Sequence, residues 1–280
     1  MTRKTTLITD FDNTLYDWFL VWHQSFSAML CEIKRISGIG DDVLLPQIRK
    51  IHQQNRTSEY AFLVENLPCL QEAFPNQDLR VVFDDAIHAY RSARIANLKL
   101  YDGVRETLTS LRASNVLIAL FTDSLAFYTI DRIKRLGLDD LVDFVFSPPD
   151  HEVPETVTSH EQRGKYQLAH AQHRHIPDMI VKPNPEVLLD IVGDIGRSKS
   201  DCVYVGDSLM KDVAMAQDAK IMDVWAKYGV AQHREGYPLL RKVSHWTEAD
   251  VQREKETSNR TVTPTHTISQ FSEISQFFRS

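Results

Sequence analysis

The sequence predicts an α/β fold in which a parallel sheet is flanked by helices and interrupted by a helical insertion. A short β-prone run at Thr6–Thr9 ends directly at Asp10. From Trp18 to Ile33 apolar residues recur at three- and four-residue spacing, which predicts an amphipathic helix. After Gly103 helical and strand patterns alternate, and this alternation is typical of a parallel sheet with helices on both faces.

The alternating region defines the predicted core. Its helices are predicted at 104–113, 125–136, 185–195 and 210–216, and its strands at 116–121, 144–146, 179–181, 202–205 and 221–225. A strand at 265–268 and a helix after it are predicted to close the domain. Because the first strand belongs to the same sheet, the core is expected to be Rossmann-like and to comprise residues 1–15 and 99–280.

The insertion between the first strand and the rest of the sheet is predicted to be an all-helical domain over residues 16–98. Helical patterns occur at 43–51, 59–67 and 79–96, and no strand pattern accompanies them. Two polar segments, at about 148–178 and 229–264, are expected to be excursions from the core.

Composition narrows the class of protein. Of the 280 residues, 42% are hydrophobic and 25% charged, which is ordinary for a globular chain, and the net charge of −6 includes no basic run. Without a basic run, we do not expect a nucleic acid polymer as partner. We also do not expect a membrane, since no apolar run approaches the roughly 20 residues of a membrane helix. The three cysteines, Cys31, Cys69 and Cys202, show no CxxC spacing and are therefore predicted to be reduced thiols. The N-terminal region has no signal-like h-region, so we expect the protein in the cytoplasm.

Polar residues follow the predicted strands where ligands bind in open α/β sheets, outside the carboxyl ends of the strands. Four chain segments are therefore expected to converge, and they contribute Asp10 and Asp12, Thr122 and Asp123, Lys182, and Asp207 with Asp212. Such a group of carboxylates favours a bound cation, and Mg²⁺ with oxygen ligands fits best. With a lysine and a threonine hydroxyl beside it, the set indicates phosphoryl transfer.

The pair Asp10 and Asp12 suits covalent catalysis. One carboxylate would attack phosphorus and form an aspartyl-phosphate, and the other would protonate the leaving group and then activate water. Lys182 and Thr122 would stabilise charge on the transferring group.

These residues resemble the motifs of the haloacid dehalogenase superfamily. Asp10-Phe11-Asp12-Asn13-Thr14 matches the DxDxT nucleophile motif of that superfamily. Its second, third and fourth motifs are resembled, in that order, by Thr122-Asp123-Ser124, by Lys182-Pro183, and by Gly206-Asp207 with Asp212. The resemblance implies magnesium bound by Asp10, the backbone carbonyl of Asp12, and Asp207, with Asp212 acting through water. It also implies that Thr122, Asp123 and Lys182 contact the substrate phosphate, and that the helical insertion is a cap domain.

The resemblance predicts a hydrolase of phosphate monoesters. Dehalogenating members are similar but lack an acid-base aspartate at the position of Asp12, so its presence favours a phosphatase. The expected partner is a small phosphorylated metabolite, nucleotide- or sugar-phosphate-like. Two alternatives stay open: a phosphotransferase or mutase on the same fold, and a non-catalytic binding protein that retains it.

Two further patterns favour structural roles. His170, His173 and His175 have an HxxHxH spacing, but their polar segment offers no fixed fourth ligand, so a metal site is not favoured. Trp18, Trp22 and Phe26 at helical spacing are expected in a core.

Overall fold

The computed structural model describes residues 4–150, 167–177, 180–248, 252 and 262–279. The chain forms two compact units. The α/β unit comprises Met1–Asp17, Lys99–Val230 and Thr257–Ser280, and the helical unit comprises Trp18–Leu98 and Ala231–Glu256. No helix among the described residues is sufficiently long and apolar to span a membrane.

The α/β unit is built on a parallel sheet, as predicted. Its strands within the described residues are β1 (Thr6–Thr9), β2 (Leu117–Phe121), β3 (Phe144–Ser147), β4 (Gln172–His175), β5 (Cys202–Gly206), β6 (Met222–Ala226) and β7 (His266–Ile268). Their order is β4-β3-β2-β1-β5-β6-β7, and every neighbouring pair is parallel. The central strand β1 aligns Ile8 with Ala119 of β2 and with Tyr204 of β5. The ends of β1 and β5 therefore lie side by side.

Helices connect these strands and bury apolar residues against the sheet. Within the described residues the α-helices are Val104–Ala113, Ala126–Arg135, Pro185–Asp194 and Ala214–Asp218, the last preceded by a π-helical turn at Leu209–Val213. One core cluster joins Ile8 and Phe121 of the sheet to Leu188 and Met215 of the helices. The alternation predicted from the sequence is thereby confirmed for the fold class.

The helical unit contains Trp18–Ser37, Asp41–Asn55, Leu63–Asn66, Pro68–Ala73, Leu79–Val82, Asp84–Asn97 and Tyr237–Val243. Its core contains Trp22 and Phe26, whose rings stack with centroids 5.1 Å apart. The predicted helix at 79–96 is interrupted at Phe83, and the one at 59–67 is reduced to Leu63–Asn66.

A second chain segment takes part in the helical unit. The predicted division assigned 229–264 to the core, but the described residues 231–248 and 252 of this segment lie in the helical unit. Tyr237 and Leu240 are buried in its core, and the Nδ1 atom of His52 lies 2.6 Å from the carbonyl oxygen of Val243. The apolar run near Tyr237 is the physical reason, because it needs a hydrophobic surface to cover it.

The strand predicted at 179–181 is wrong in its described part. Ile180 and Val181 have no strand assignment, and Met179 lies outside the described residues. The corresponding sheet position is occupied by β4, which lies in the segment 148–178 predicted to be an excursion. Because β4 is a polar edge strand, it has no apolar alternation to reveal it.

Candidate active site

Asp10 lies where β1 ends and is 6% exposed. Its backbone N–H donates to the carbonyl oxygen of Val205 on β5 at 2.8 Å, which holds this turn against the neighbouring strand. The Thr14 hydroxyl donates to Asp10 Oδ2 at 3.0 Å. The carboxylate is therefore fixed from two sides by the strand and by the turn that follows it.

Lys182 connects Asp10 to a second carboxylate. Its Nζ atom donates to Asp10 Oδ1 at 2.5 Å and to Asp212 Oδ1 at 2.9 Å. Tyr204 OH lies 3.1 Å from Nζ and donates to Asp212 Oδ1 at 2.9 Å. These four side chains form one buried, charged network.

Three carboxylates are close enough to share one cation. Asp10, Asp207 and Asp212 each offer an oxygen, and these oxygens lie within 4.8 Å of one another. Asp212 is oriented by the backbone N–H of Ser208, which donates to its Oδ2 atom at 3.0 Å. A Cβ atom at Gly206 would overlap the Asp212 carboxyl group, so only glycine fits at this position.

The charge balance of the cluster favours a cation. Burial raises the pKa of Asp10 to about 7; the charge of Lys182 opposes this rise, and repulsion from Asp212 and Asp12 adds to it. Burial also raises the pKa of Asp207 well above its usual value, with further repulsion from Asp10 and Asp212. Burial alone would lower the pKa of Lys182, but the charges of Asp10 and Asp212 raise it well above its usual value. The donor set is hard and oxygen-based, which fits Mg²⁺.

Thr122 and Asp123 lie after β2. The Thr122 N–H donates to the Phe146 carbonyl oxygen at 3.0 Å, and its hydroxyl oxygen accepts from the Ser124 N–H at 3.1 Å. Asp123 accepts from the Lys182 N–H at 3.0 Å and from Lys211 Nζ at 3.3 Å. Asp123 thus holds the backbone of the lysine segment.

Asp12 has surroundings different from those of Asp10. The Tyr16 hydroxyl and Arg132 Nη1 donate to its Oδ1 atom, the latter at 3.4 Å, and the Ser124 hydroxyl donates to its Oδ2 atom at 2.7 Å. Its side chain is 22% exposed, whereas that of Arg132 is fully buried.

The structure brings Asp10, Lys182, Asp207 and Asp212 together as the sequence predicted, and it adds Tyr204, which sequence reasoning missed. Tyr204 precedes Gly206 by two residues on a strand, so period-two alternation indicates that both project from one face. The histidines lie elsewhere: His173 and His175 are on β4, and His173 Nε2 lies 2.8 Å from the Ser147 hydroxyl oxygen.

A family model described as haloacid dehalogenase-like hydrolase matches residues 4–220. The chain belongs to this family of hydrolases. The match spans every segment that contributes to the acidic cluster, and it confirms the resemblance inferred from the motifs.

Among curated proteins, the chain is similar to the glyceraldehyde 3-phosphate phosphatase of Methanopyrus kandleri, to which it is 29% identical over 54% of this chain and 53% of that protein. The phosphatase of the same name from Pyrococcus furiosus is 23% identical over 50% of this chain and 48% of its own. The chain thus spans about half the length of the curated relatives it matches.

Solved structures of the family share the fold. The 2-haloacid dehalogenase of Pseudomonas syringae pv. Tomato DC3000 aligns with a TM-score of 0.56 at 18% identity, covering 97% of each chain. The putative HAD-hydrolase YfnB of Bacillus subtilis, solved bound to magnesium, aligns with a TM-score of 0.53 at 17% identity over 100% of each chain.

Proposed function

We propose that this haloacid dehalogenase-like hydrolase is a magnesium-dependent phosphatase that hydrolyses small phosphate monoesters, nucleotide- or sugar-phosphate-like, through an aspartyl-phosphate. One observation carries the proposal. The buried Asp10 carboxylate has Lys182 Nζ at 2.5 Å and lies beside the carboxylates of Asp207 and Asp212. A nucleophile, a fixed cation and a cation-binding group therefore meet at one point, as phosphoryl transfer requires.

The curated relatives support the substrate class. They are glyceraldehyde 3-phosphate phosphatases, and glyceraldehyde 3-phosphate is a small phosphorylated aldehyde. We therefore expect short phosphorylated carbohydrates to be among the substrates of this chain.

In the first step Asp10 attacks phosphorus. A bond forms between its carboxylate oxygen and phosphorus, and the bond from phosphorus to the leaving-group oxygen breaks. Asp12 gives its proton to that oxygen and becomes a carboxylate. Lys182 keeps the Asp10 carboxylate in place and supplies positive charge where the transition state needs it. The products of this step are the free alcohol and the aspartyl-phosphate.

In the second step Asp12 takes a proton from water. The water oxygen bonds to phosphorus while the bond from phosphorus to Asp10 breaks, releasing inorganic phosphate. Asp10 is again a carboxylate and Asp12 is again protonated, so the cycle closes.

The residues that would hold magnesium are Asp10, Asp207, Asp212 and the backbone carbonyl of Asp12. When bound, the ion neutralises negative charge on the phosphate oxygens and relieves the repulsion among the three carboxylates. The raised pKa values of Asp10 and Asp207 support this assignment, because burial and the repulsion of neighbouring carboxylates both disfavour their charged forms in the absence of a cation.

The test is release of inorganic phosphate from a broad panel of phosphorylated metabolites, with magnesium or with a chelator. We expect metal-dependent release by the wild type and a loss of at least about 10³-fold in Asp10→Asn. Asp190→Asn is the matched control, since Asp190 is exposed on the helix Pro185–Asp194 and should leave turnover unchanged.

Full activity of Asp10→Asn would refute the role of Asp10 as the nucleophile. Isomerised product without free phosphate would replace the phosphatase with a mutase, and no reaction on any compound would favour a binding protein.

A further inference from the structure

Asp12 is held by three donors of its own chain, and this arrangement differs from that of the other carboxylates in the site. Tyr16 and Arg132 donate to Oδ1, and Ser124 donates to Oδ2. A carboxylate has about four acceptor sites on its two oxygens. Within the described residues, Oδ1 accepts two hydrogen bonds and Oδ2 accepts one. Oδ2 is therefore the oxygen with capacity left for a transferred proton.

The donors are themselves fixed. Arg132 Nη1 also donates to the Ser124 hydroxyl oxygen at 3.1 Å, which directs the hydroxyl hydrogen of Ser124 toward Asp12 Oδ2. The Thr129 hydroxyl donates to the Ser124 carbonyl oxygen at 3.0 Å and holds its backbone. The Arg132 guanidinium lies 5.8 Å from the ring centroids of both Tyr16 and Tyr128.

The cost of burying this guanidinium argues against a role in packing alone. Arg132 is 0% exposed, and a charge of this kind is rarely buried without a charged partner. Among the described residues Arg132 forms an ion pair with Asp12, whose own side chain remains partly exposed. The buried cation therefore holds a carboxylate that can still reach a ligand.

We propose that Ser124 and Arg132 are positioning residues that orient the Asp12 carboxylate so that Oδ2 delivers the proton to the leaving-group oxygen. The inference rests on the proposed function. Neither residue touches the substrate in this account, and both act through Asp12. Tyr16 completes the set by fixing Oδ1.

The test uses leaving groups that differ in their need for a proton. Nitrophenolate departs without protonation, whereas an alkoxide requires a general acid. The value of kcat/KM is the correct quantity, because it reports the steps up to departure of the leaving group and excludes hydrolysis of the intermediate. The two substrates are p-nitrophenyl phosphate and the alkyl phosphate that the wild type hydrolyses best.

For Ser124→Ala we expect kcat/KM on the alkyl phosphate to fall about tenfold or more. This loss is part of the roughly 10²- to 10⁴-fold rate enhancement that a general acid supplies. The value of kcat/KM on p-nitrophenyl phosphate should change less than about twofold. Arg132→Lys, which keeps the charge but not the planar fork, should show the same selectivity. In an Asp12→Ala background Ser124→Ala should have no further effect, because the two residues act as one unit.

Equal losses on both substrates, or an additional loss in the Asp12→Ala background, would overturn the inference and leave the phosphatase intact. If the wild type hydrolyses neither substrate, the proposed function fails and the inference fails with it. Should Arg132→Lys not fold, Ser124→Ala and Tyr16→Phe give the same comparison, since both remove one hydroxyl from a side chain that is otherwise retained.

Discussion

The two units of the chain bury polar side chains in different ways. In the α/β unit Asp10, Lys182 and Asp212 are buried together, and like charges converge on one cation. In the helical unit the buried side chains of Glu59 and His52 each have a neutral hydrogen-bond partner. The Trp18 indole Nε1 donates to Glu59 at 3.0 Å, and His52 lies against a backbone carbonyl oxygen.

This difference separates function from packing. Converging carboxylates destabilise a fold unless a ligand or counter-charge offsets them, so their presence indicates a site. Single complementary pairs satisfy hydrogen bonds and fix how helices pack, without surplus charge. The difference therefore supports the proposal that the chemistry takes place in the α/β unit.

Replacing Lys182 by Met would test the charged network most strongly. The change leaves Asp10 and Asp212 as adjacent buried carboxylates without their cation. We expect phosphate release to fall by about 10²- to 10³-fold and the free energy of unfolding by about 3 kcal/mol. Turnover assays and urea unfolding measure the two effects.

Lys211→Met is the matched control for stability. Lys211 also pairs with an aspartate, but at 3.3 Å and with a side chain that is 48% exposed. We expect a loss below about 1 kcal/mol, because exposed pairs contribute little. If Lys182→Met and Lys211→Met lost the same free energy of unfolding, the buried network would contribute no more to stability than an exposed ion pair.

The burial of His52 predicts how the stability of the helical unit depends on pH. Burial lowers the pKa of His52 to about 4, against a usual value of about 6.5 in the unfolded chain. Between pH 6.5 and pH 4 the unfolded chain therefore binds a proton at His52 and the native unit does not. The contribution of His52 to the free energy of unfolding is present above pH 6.5 and is lost as the pH falls toward 4. The full effect is about 3 kcal/mol.

Tryptophan fluorescence can follow this loss, because Trp18, Trp22 and Trp246 lie in the helical unit and Trp225 alone lies in the α/β unit. Urea unfolding of His52→Gln should show a shallower decline between pH 6.5 and 4 than wild type. His88→Gln, at an exposed position of the helix Asp84–Asn97, should follow the wild type. Parallel curves for all three proteins would show that His52 is not the group responsible.

The sequence predicted the sheet wherever strands are buried and apolar. β1, β2 and β5 are buried strands that are apolar except for the threonines at both ends of β1, because parallel strands have both faces covered. The edge strand β4 has the sequence Gln-His-Arg-His, so hydrophobicity could not reveal it. The place of Tyr237–Val243 in the helical unit depends on contacts distant in sequence, which a local pattern does not contain.

The candidate site was predictable for a topological reason. Asp10 and Asp207 each follow a strand, and the carboxyl ends of parallel strands share one edge of the sheet. The partners of Asp12 were not predictable, since the contact of Arg132 depends on which face of the helix Ala126–Arg135 turns toward the strand ends. The prediction therefore reached the charged residues and missed the side chains that orient them.

The most direct test of the central claim is to identify the phosphorylated residue. We would quench the wild type during turnover, reduce any acyl-phosphate with borohydride, and locate the reduced residue by peptide mass spectrometry. The account predicts homoserine at position 10 in samples with substrate and magnesium, and its absence when substrate is omitted. Homoserine at another aspartate, or phosphate release with position 10 unmodified throughout, would contradict Asp10 as the nucleophile.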